Sequence, residues 1–164
     1  MTATWPADWD AMLTGRGCSM CAKGRPEDDG FGVRIQAAKY SDAYLQRVDM
    51  QRGYTLVIWR GRHVAEPTEL ETAEAAGYWL EVLHVAKALQ RYYRPLKMNY
   101  EVLGNTLPHL HTHLVPRYLD DPAPGRPFPF PFLSDERPDL PEELVQRDAA
   151  ALRAMLAHSD SQPQ

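Results

Sequence analysis

The chain has 164 residues, of which 44% are hydrophobic and 24% are charged, and its 18 basic and 22 acidic residues give a formal net charge of −4. This size and composition predict one soluble domain whose core is large enough to be stable without disulfides. The acidic balance disfavours a general nucleic-acid binder or a binder of anionic membranes. No apolar run approaches the roughly twenty residues of a membrane span, and residues 1–10 lack the basic and apolar parts of a signal peptide, so we expect a cytoplasmic protein.

The first segment with a chemical signature is the stretch 10–32, which is rich in glycine, arginine and aspartate and is predicted to be a loop or knuckle. It contains both cysteines of the chain, Cys18 and Cys21, in C-x-x-C spacing. Two cysteines are too few for a disulfide framework, and this spacing is typical of half a tetrahedral zinc site. Redox-active pairs have the same spacing but a strand–helix context that this segment does not offer. Two unconnected buried thiols are the third interpretation.

Three short strands and one long helix are predicted to follow. The strand candidates, which are β-branched and aromatic in part, are residues 33–40, 43–48 and 54–59. The helix is predicted to begin at Pro67 or Thr68, with capping-box spacing between Thr68 and Glu71, and to end at Tyr93. Its apolar residues recur every three or four positions and are expected to form the buried stripe. They are Leu70, Ala73, Ala76, Leu80, Leu83, Ala86 and Leu89.

Two further strands and a terminal helix complete the predicted fold. Residues 98–103 and 109–117 are strand candidates, and the Gly-Asn-Thr link between them predicts antiparallel neighbours. The stretch 121–141 contains seven of the 14 prolines and an alternating Pro-Phe run at 127–132, which predicts an extended segment with phenylalanines packed on the body. An amphipathic helix is predicted over about 142–157. Strands with one long helix between them and a C-terminal helix indicate an α+β domain with an antiparallel sheet.

Three histidines alternate along the last predicted strand: His109, His111 and His113. Alternate residues of a strand share one face, so the imidazoles are predicted to form a row of about 13 Å, backed by Leu110 and Leu114 in the core. A neutral imidazole is a nucleophile toward phosphorus and carries protons near pH 7. The central His111 could therefore attack a phosphate while its neighbours orient the oxygens or protonate the leaving group.

Two other interpretations of this row are open. A single histidine on a strand is usually structural, although three that repel one another once protonated fit that role poorly. Three histidines can also hold a metal ion whose bound water is the nucleophile. Three residues along one line converge poorly on one ion, so this second interpretation is also less favoured.

The segment His-Leu-His-Thr-His-Leu-Val at 109–115 resembles the signature of the histidine triad (HIT) family, His-x-His-x-His followed by two apolar residues. The segments Gly-Tyr-Thr-Leu-Val-Ile, Met-Asn-Tyr, Gly-Asn-Thr and Pro-Arg-Tyr, which begin at positions 53, 98, 104 and 116, are similar to family segments as well. The resemblance covers about residues 18–118. It implies a nucleotide-binding fold that is usually a homodimer. We therefore expect residues 1–164 to form a single HIT-like domain, with a core at about 18–118 followed by the Pro/Phe-rich segment and the terminal helix at 121–157.

The resemblance also implies an activity, the hydrolysis of nucleoside phosphoramidates or dinucleoside polyphosphates without an organic cofactor. By analogy His111 is the nucleophile that attacks the α-phosphorus, and water then cleaves the nucleotidylated histidine. Family transferases carry glutamine in place of the third histidine, so His113 favours hydrolysis. The implied phosphate-binding residues are His113, Asn99, Asn105, Thr106 and His109.

Zinc is implied by the cysteine-bearing branch of the family, in which the remaining ligands resemble His63 and His109. The expected ligands of a structural zinc are thus Cys18, Cys21, His63 and His109, with no open coordination position. His109 would then be a tether of the triad strand and would not bind phosphate directly.

Two positions depart from the family pattern. Tyr54 stands where many members have histidine, which changes a contact that supports the triad, and Asn105 stands where many have glutamine. Both departures concern substrate preference and rate. They leave open a nucleotide-binding regulatory module with little turnover, and a zinc-water hydrolase built on the histidine row is the third possibility.

Overall fold

A five-stranded antiparallel sheet forms the centre of the fold in the computed structural model, which describes residues 4–130 and 138–159. Its strands are β1 (Gly32–Ala37), β2 (Ser41–Gln46), β3 (Thr55–Trp59), β4 (Lys97–Glu101) and β5 (His111–Arg117). They are arranged in the order β1-β2-β3-β5-β4, and every neighbouring pair is antiparallel. All five predicted strands are confirmed, with ends that differ by at most three residues, and β4 and β5 are the predicted neighbours.

The helices are α1 (Trp9–Leu13), α2 (Ser19–Lys23), α3 (Thr72–Tyr93) and α4 (Glu142–Ser159). The segment predicted to be a loop contains α1 and α2, two helices of five residues each that are too short for periodicity to reveal. The terminal helix is confirmed as α4. No helix in the ranges 4–130 and 138–159 is long and apolar enough to cross a membrane.

The pleat of the strands divides the sheet into two faces. One face, with Val57, Met98 and Leu114, packs into the main core, to which α3 and α4 contribute. The opposite face carries His111 and His113. The register places Ile58 and Leu56 of β3 beside these histidines and Glu101 of β4 beside His113. Period two therefore separates the histidines from the core leucines, as predicted.

The start of α3 differs from the prediction. Residues Pro67–Glu69 form one turn of 3₁₀-helix, and the extended backbone at Leu70 separates that turn from α3, which begins at Thr72. The capping box pairs Glu71 with Glu74, whose carboxylate accepts the Glu71 N–H at 2.9 Å. The predicted end at Tyr93 is confirmed.

The predicted buried stripe of α3 is wrong from Ala73 to Leu83, because Ala73 and Ala76 are exposed and Leu80 and Leu83 are 68% and 44% exposed. The buried face instead includes Tyr78, Val82, Val85 and Leu89. Tyr78 tolerates full burial because its hydroxyl lies 3.1 Å from the carbonyl oxygen of Val57 and 2.8 Å from Oγ1 of Thr112. A pattern built on aliphatic residues alone assigns this tyrosine to the surface. The predicted buried face of the helix is then turned away from the observed one.

The segment that follows β5 crosses the histidine face. Phe128 is 6% exposed in a small cluster with Tyr54 and Val115, and Phe130 packs against that cluster. The prediction that these phenylalanines pack on the body is confirmed for both. Phe132 lies outside the described residues. The segment thus forms one wall beside the histidines.

Candidate functional site

His111 is the first residue of β5 and is buried on the face opposite to the main core. Its Nδ1 lies 2.6 Å from the backbone carbonyl oxygen of His109. A carbonyl oxygen can only accept, so Nδ1 carries the proton and donates it, while Nε2 keeps its lone pair. Burial lowers the pKa of His111, although the bond to His109 opposes the shift. The neutral ring thus presents a nucleophilic nitrogen.

His113 stands beside His111, with the two ring centroids 4.8 Å apart. Its Nδ1 lies 2.7 Å from the hydroxyl of Tyr54, and the ring of Phe130 packs on it at a centroid distance of 5.0 Å. Burial, followed by repulsion from His111, lowers the pKa of His113 to about 3. His113 is therefore a neutral hydrogen-bonding group at physiological pH.

His109 lies before β5 and does not continue the pair. Its Nε2 lies 2.9 Å from the carbonyl oxygen of Trp59, to which it donates, so Nδ1 is left with a lone pair. That Nδ1 lies 3.4 Å from Sγ of Cys18 and 3.5 Å from Sγ of Cys21. Two imidazoles thus stand side by side, and the third joins the cysteines, so a continuous row of three is not formed.

The cysteine cluster has the spacing of a tetrahedral metal site. It comprises Cys18, Cys21, His63 and His109, and one ligand atom of each lies within 4.8 Å of the others. Sγ of Cys21 is 3.4 Å from Nδ1 of His63. Bond lengths of about 2.3 Å to sulfur and about 2.0 Å to nitrogen place tetrahedral S and N ligands of zinc roughly 3.6 Å apart. The four donors therefore fit a zinc ion.

The surroundings of the cluster support that fit. Burial and the neighbouring Cys18 raise the pKa of the Cys21 thiol to about 11, and burial lowers the pKa of His109 to about 4. The Cys21 thiol thus keeps its proton unless a cation is bound, and metal binding would convert it to the thiolate ligand. Gly15, at φ +86°, leaves room for the ring of His63, because a Cβ there would lie 2.8 Å from its Cγ. Since both cysteines face one centre, two unconnected thiols are a poor description of them.

Asn99 lies on the same sheet face as the histidines, opposite Val115. Its Oδ1 accepts from Nη1 of Arg117 at 3.0 Å, which leaves its amide NH₂ as the group available to a ligand. A groove of about 680 Å³ opens between this part of β4 and the segment after β5. Asn105 and Thr106 lie in the exposed link between β4 and β5.

Two side chains of this face, Phe130 and Glu101, were not assigned site roles from the sequence. Tyr54 was identified there as a changed contact near the triad, but its partner His113 was not. The carboxylate of Glu101 accepts the N–H of Phe128, burial raises its pKa, and its Oε1 has no hydrogen-bond partner among the described residues. Tyr54 stands directly before β3 and Glu101 ends β4, and both continue the period-two alternation of these strands. Alternation across paired strands was therefore the signal that could have placed them on this face.

Comparison with known proteins identifies the family. The family model of the HIT domain matches residues 32–120, whereas no curated protein sequence matches the chain. Among solved structures, a histidine triad protein from Bradyrhizobium japonicum has a TM-score of 0.69 at 23% identity, covering 80% of this chain and 96% of that one. A Zn-bound histidine triad family protein from Mycobacterium smegmatis has a TM-score of 0.58 at 23% identity, covering 89% and 95%.

A hypothetical histidine triad nucleotide-binding protein from Sulfolobus tokodaii has a TM-score of 0.62 at 20% identity, covering 86% of this chain and 91% of that one. At these identities the structural similarity establishes the fold. The matched domain includes all five strands and both His111 and His113. This chain therefore belongs to the histidine triad (HIT) family.

Proposed function

We propose that this HIT protein hydrolyses nucleotide phosphates through a nucleotidyl-histidine intermediate. Nε2 of His111 attacks the α-phosphorus of a nucleoside phosphoramidate or dinucleoside polyphosphate, and the bond from phosphorus to the leaving group breaks as the P–N bond forms. Water then attacks phosphorus, which releases the nucleoside monophosphate and regenerates the imidazole. The observation that carries the proposal is the bond from Nδ1 of His111 to the His109 carbonyl, because it leaves the lone pair on Nε2.

The remaining site residues are proposed to bind the phosphate. His113 and the Asn99 amide lie on the same face as His111 and can donate to phosphoryl oxygens, which stabilises the charge that develops there. The exposed link that contains Asn105 and Thr106 is proposed to contact the leaving group, as the family resemblance implies.

Zinc is proposed as a structural ion. Cys18, Cys21, His63 and His109 would hold it, and four protein ligands leave no coordination position for a reacting water. Because His109 is placed with the cysteines, the site favours a histidine nucleophile over a zinc-water hydrolase. The backbone carbonyl of His109 also accepts the hydrogen bond from Nδ1 of His111. A zinc ion held by the His109 side chain would therefore help to fix the ring of His111.

A second candidate function is a nucleotide-binding module with little turnover. The ring of Phe130 covers His113, and His111 is only 7% exposed, which favours slow exchange of ligands. This candidate shares the binding residues and differs in the absence of chemistry at His111.

A homodimer is proposed as the working form. β4 is an edge strand of the sheet, and the apolar residues Tyr100, Val102 and Leu103 on it and after it are 40%, 37% and 43% exposed. An apolar edge strand favours pairing with a second copy. Analytical ultracentrifugation is expected to show a dimer for the wild type and a monomer for Val102→Asp. A monomeric wild type would contradict the proposal.

The function is tested with wild type and His111→Ala, each given an adenosine phosphoramidate and a diadenosine polyphosphate. We expect the wild type to release AMP and to show a trapped nucleotidyl adduct by intact-mass spectrometry. His111→Ala is expected to bind nucleotide without either result, whereas His158→Ala, a change at an exposed histidine of α4, is expected to match the wild type. Undiminished turnover by His111→Ala would refute the mechanism. Binding without turnover by the wild type would support the regulatory module.

A further inference from the structure

The hydroxyl of Tyr54 is enclosed together with His113. Tyr54 is 6% exposed, its Oη lies 2.7 Å from Nδ1 of His113, and the two rings are nearly parallel, with 8° between their planes. Phe130 packs against both rings, at centroid distances of 5.9 and 5.0 Å. The contact is therefore shielded from water by an aromatic side chain.

The direction of this hydrogen bond follows from its surroundings. Burial raises the pKa of Tyr54 well above its ordinary value, so the hydroxyl keeps its proton. Among the described residues, Nδ1 of His113 is the only acceptor within hydrogen-bonding distance of that hydroxyl. If Nδ1 were protonated and donated to Tyr54, the tyrosine proton would be buried without an acceptor, which is costly. Donation by Tyr54 satisfies both groups.

We infer that Tyr54 is a positioning residue that donates its hydroxyl proton to Nδ1 of His113 and thereby fixes this imidazole in the tautomer that carries its proton on Nε2. His111 has the opposite tautomer, because its Nδ1 donates to the His109 carbonyl. The two neighbouring rings thus present different groups: a lone pair on Nε2 of His111 and an N–H on Nε2 of His113.

Opposite tautomers suit phosphoryl chemistry better than matching ones. A lone pair is needed for attack on phosphorus, and an N–H is needed to hold a phosphoryl oxygen while charge develops on it. If His113 carried its proton on Nδ1, its Nε2 lone pair would repel that oxygen. This consequence rests on the proposed function, whereas the tautomer is a property of the resting protein and is measured without substrate.

The test is long-range ¹H–¹⁵N NMR of protein labelled in its histidine rings, with His113 assigned by the loss of its signals in His113→Gln. In the wild type we expect an unprotonated Nδ1 and a protonated Nε2 for His113, and the reverse for His111. Tyr54→Phe keeps the ring and removes the hydroxyl, so the His113 signals are expected to move to those of a tautomer mixture. A wild-type His113 protonated on Nδ1 would overturn the inference, even if the variant failed to fold.

Tyr78→Phe is the matched control, because it removes an equally buried hydroxyl that meets β5 at Thr112 on the other face of the sheet. It is expected to leave the His113 signals unchanged. Identical His113 spectra for wild type and Tyr54→Phe would show that Tyr54 does not select the tautomer.

A kinetic readout follows the same variants with adenosine phosphoramidate. We expect Tyr54→Phe to slow the nucleotidylation of His111 by about tenfold with KM changed less than about twofold, because one positioned donor is weakened. An equal rate in Tyr54→Phe and wild type would overturn the positioning role. Failure of the wild type to turn over would contradict the proposed function alone, since the NMR result stands separately.

Discussion

The ion pair of Arg117 and Asp121 joins the sheet to the segment that crosses its histidine face. Both residues are 7% exposed. Arg117 donates from Nε and Nη2 to the two carboxylate oxygens, and the Nη2–Oδ1 distance is 2.8 Å. Its Nη1 donates at 3.0 Å to Oδ1 of Asn99 and at 3.0 Å to the carbonyl oxygen of Arg126. One guanidinium therefore joins β5, β4 and the following segment.

Asp121→Asn keeps the shape of the side chain and removes its charge. Loss of one partner from a buried pair costs about 3–5 kcal/mol, because the other charge stays buried without compensation. Arg117 would retain the acceptors on Asn99, Ala123 and Arg126. We therefore expect a loss near the lower bound, about 3 kcal/mol at pH 7. For a chain of this length, that loss corresponds to a fall in Tm of roughly 6–12 °C.

The pH dependence of this loss has a definite sign. Hydrogen bonding to Arg117 is the largest cause that lowers the pKa of Asp121 below its ordinary value of 3.8. A carboxyl group with a lowered pKa in the folded state stabilises the protein above the pKa of the unfolded chain, and this stabilisation is lost as the pH falls through the folded-state pKa. The stability difference between wild type and Asp121→Asn is thus expected to be complete at pH 7 and to shrink below about pH 4.

The assay is urea unfolding at pH 7 and at several acidic pH values. Arg62→Gln is the control, because Arg62 pairs with Glu74 at 2.7 Å and both side chains are reached by solvent, at 46% and 26% exposure. Such an exposed pair contributes about 0–1 kcal/mol. A loss for Asp121→Asn that matched the control at pH 7, or that was constant down to acidic pH, would refute this account of the pair.

The other predictions concern the metal cluster and the aromatic wall. Removal of bound zinc with a chelator is expected to lower Tm, because the ion stabilises only the folded ligand set; an unchanged Tm would contradict this. Gly15→Ala is expected to lower zinc content and stability, since a Cβ would lie 2.8 Å from the ring of His63. Gly17→Ala, also at positive φ but with open space around it, is expected to lower stability alone. Phe130→Ala is expected to raise the pKa of His113 from about 3 by reducing its burial, and an unchanged NMR titration would oppose that.

Much of the fold could be predicted from local patterns. Strand alternation correctly placed Leu110 and Leu114 in the core and His111 and His113 on the other face, because a strand has no other way to orient alternate side chains. The buried face of α3 could not be predicted in the same way. An aliphatic stripe included Leu80, which is exposed, since nothing local shows that the sheet supplies hydrogen bonds for a buried tyrosine.

The sequence by itself predicted the strands and the shared face of His111 and His113, and the resemblance to the HIT family implied the four residues of the candidate metal cluster. Only the tertiary structure decided which groups each imidazole contacts. Cys18 contacts His109 across 91 positions of the chain, and Tyr54 bonds His113 across 59. Such contacts depend on how β3 and β5 pair and on how the cysteine segment packs beside them. The protonated nitrogen of a histidine follows from its hydrogen-bond partner, and that partner is chosen by packing.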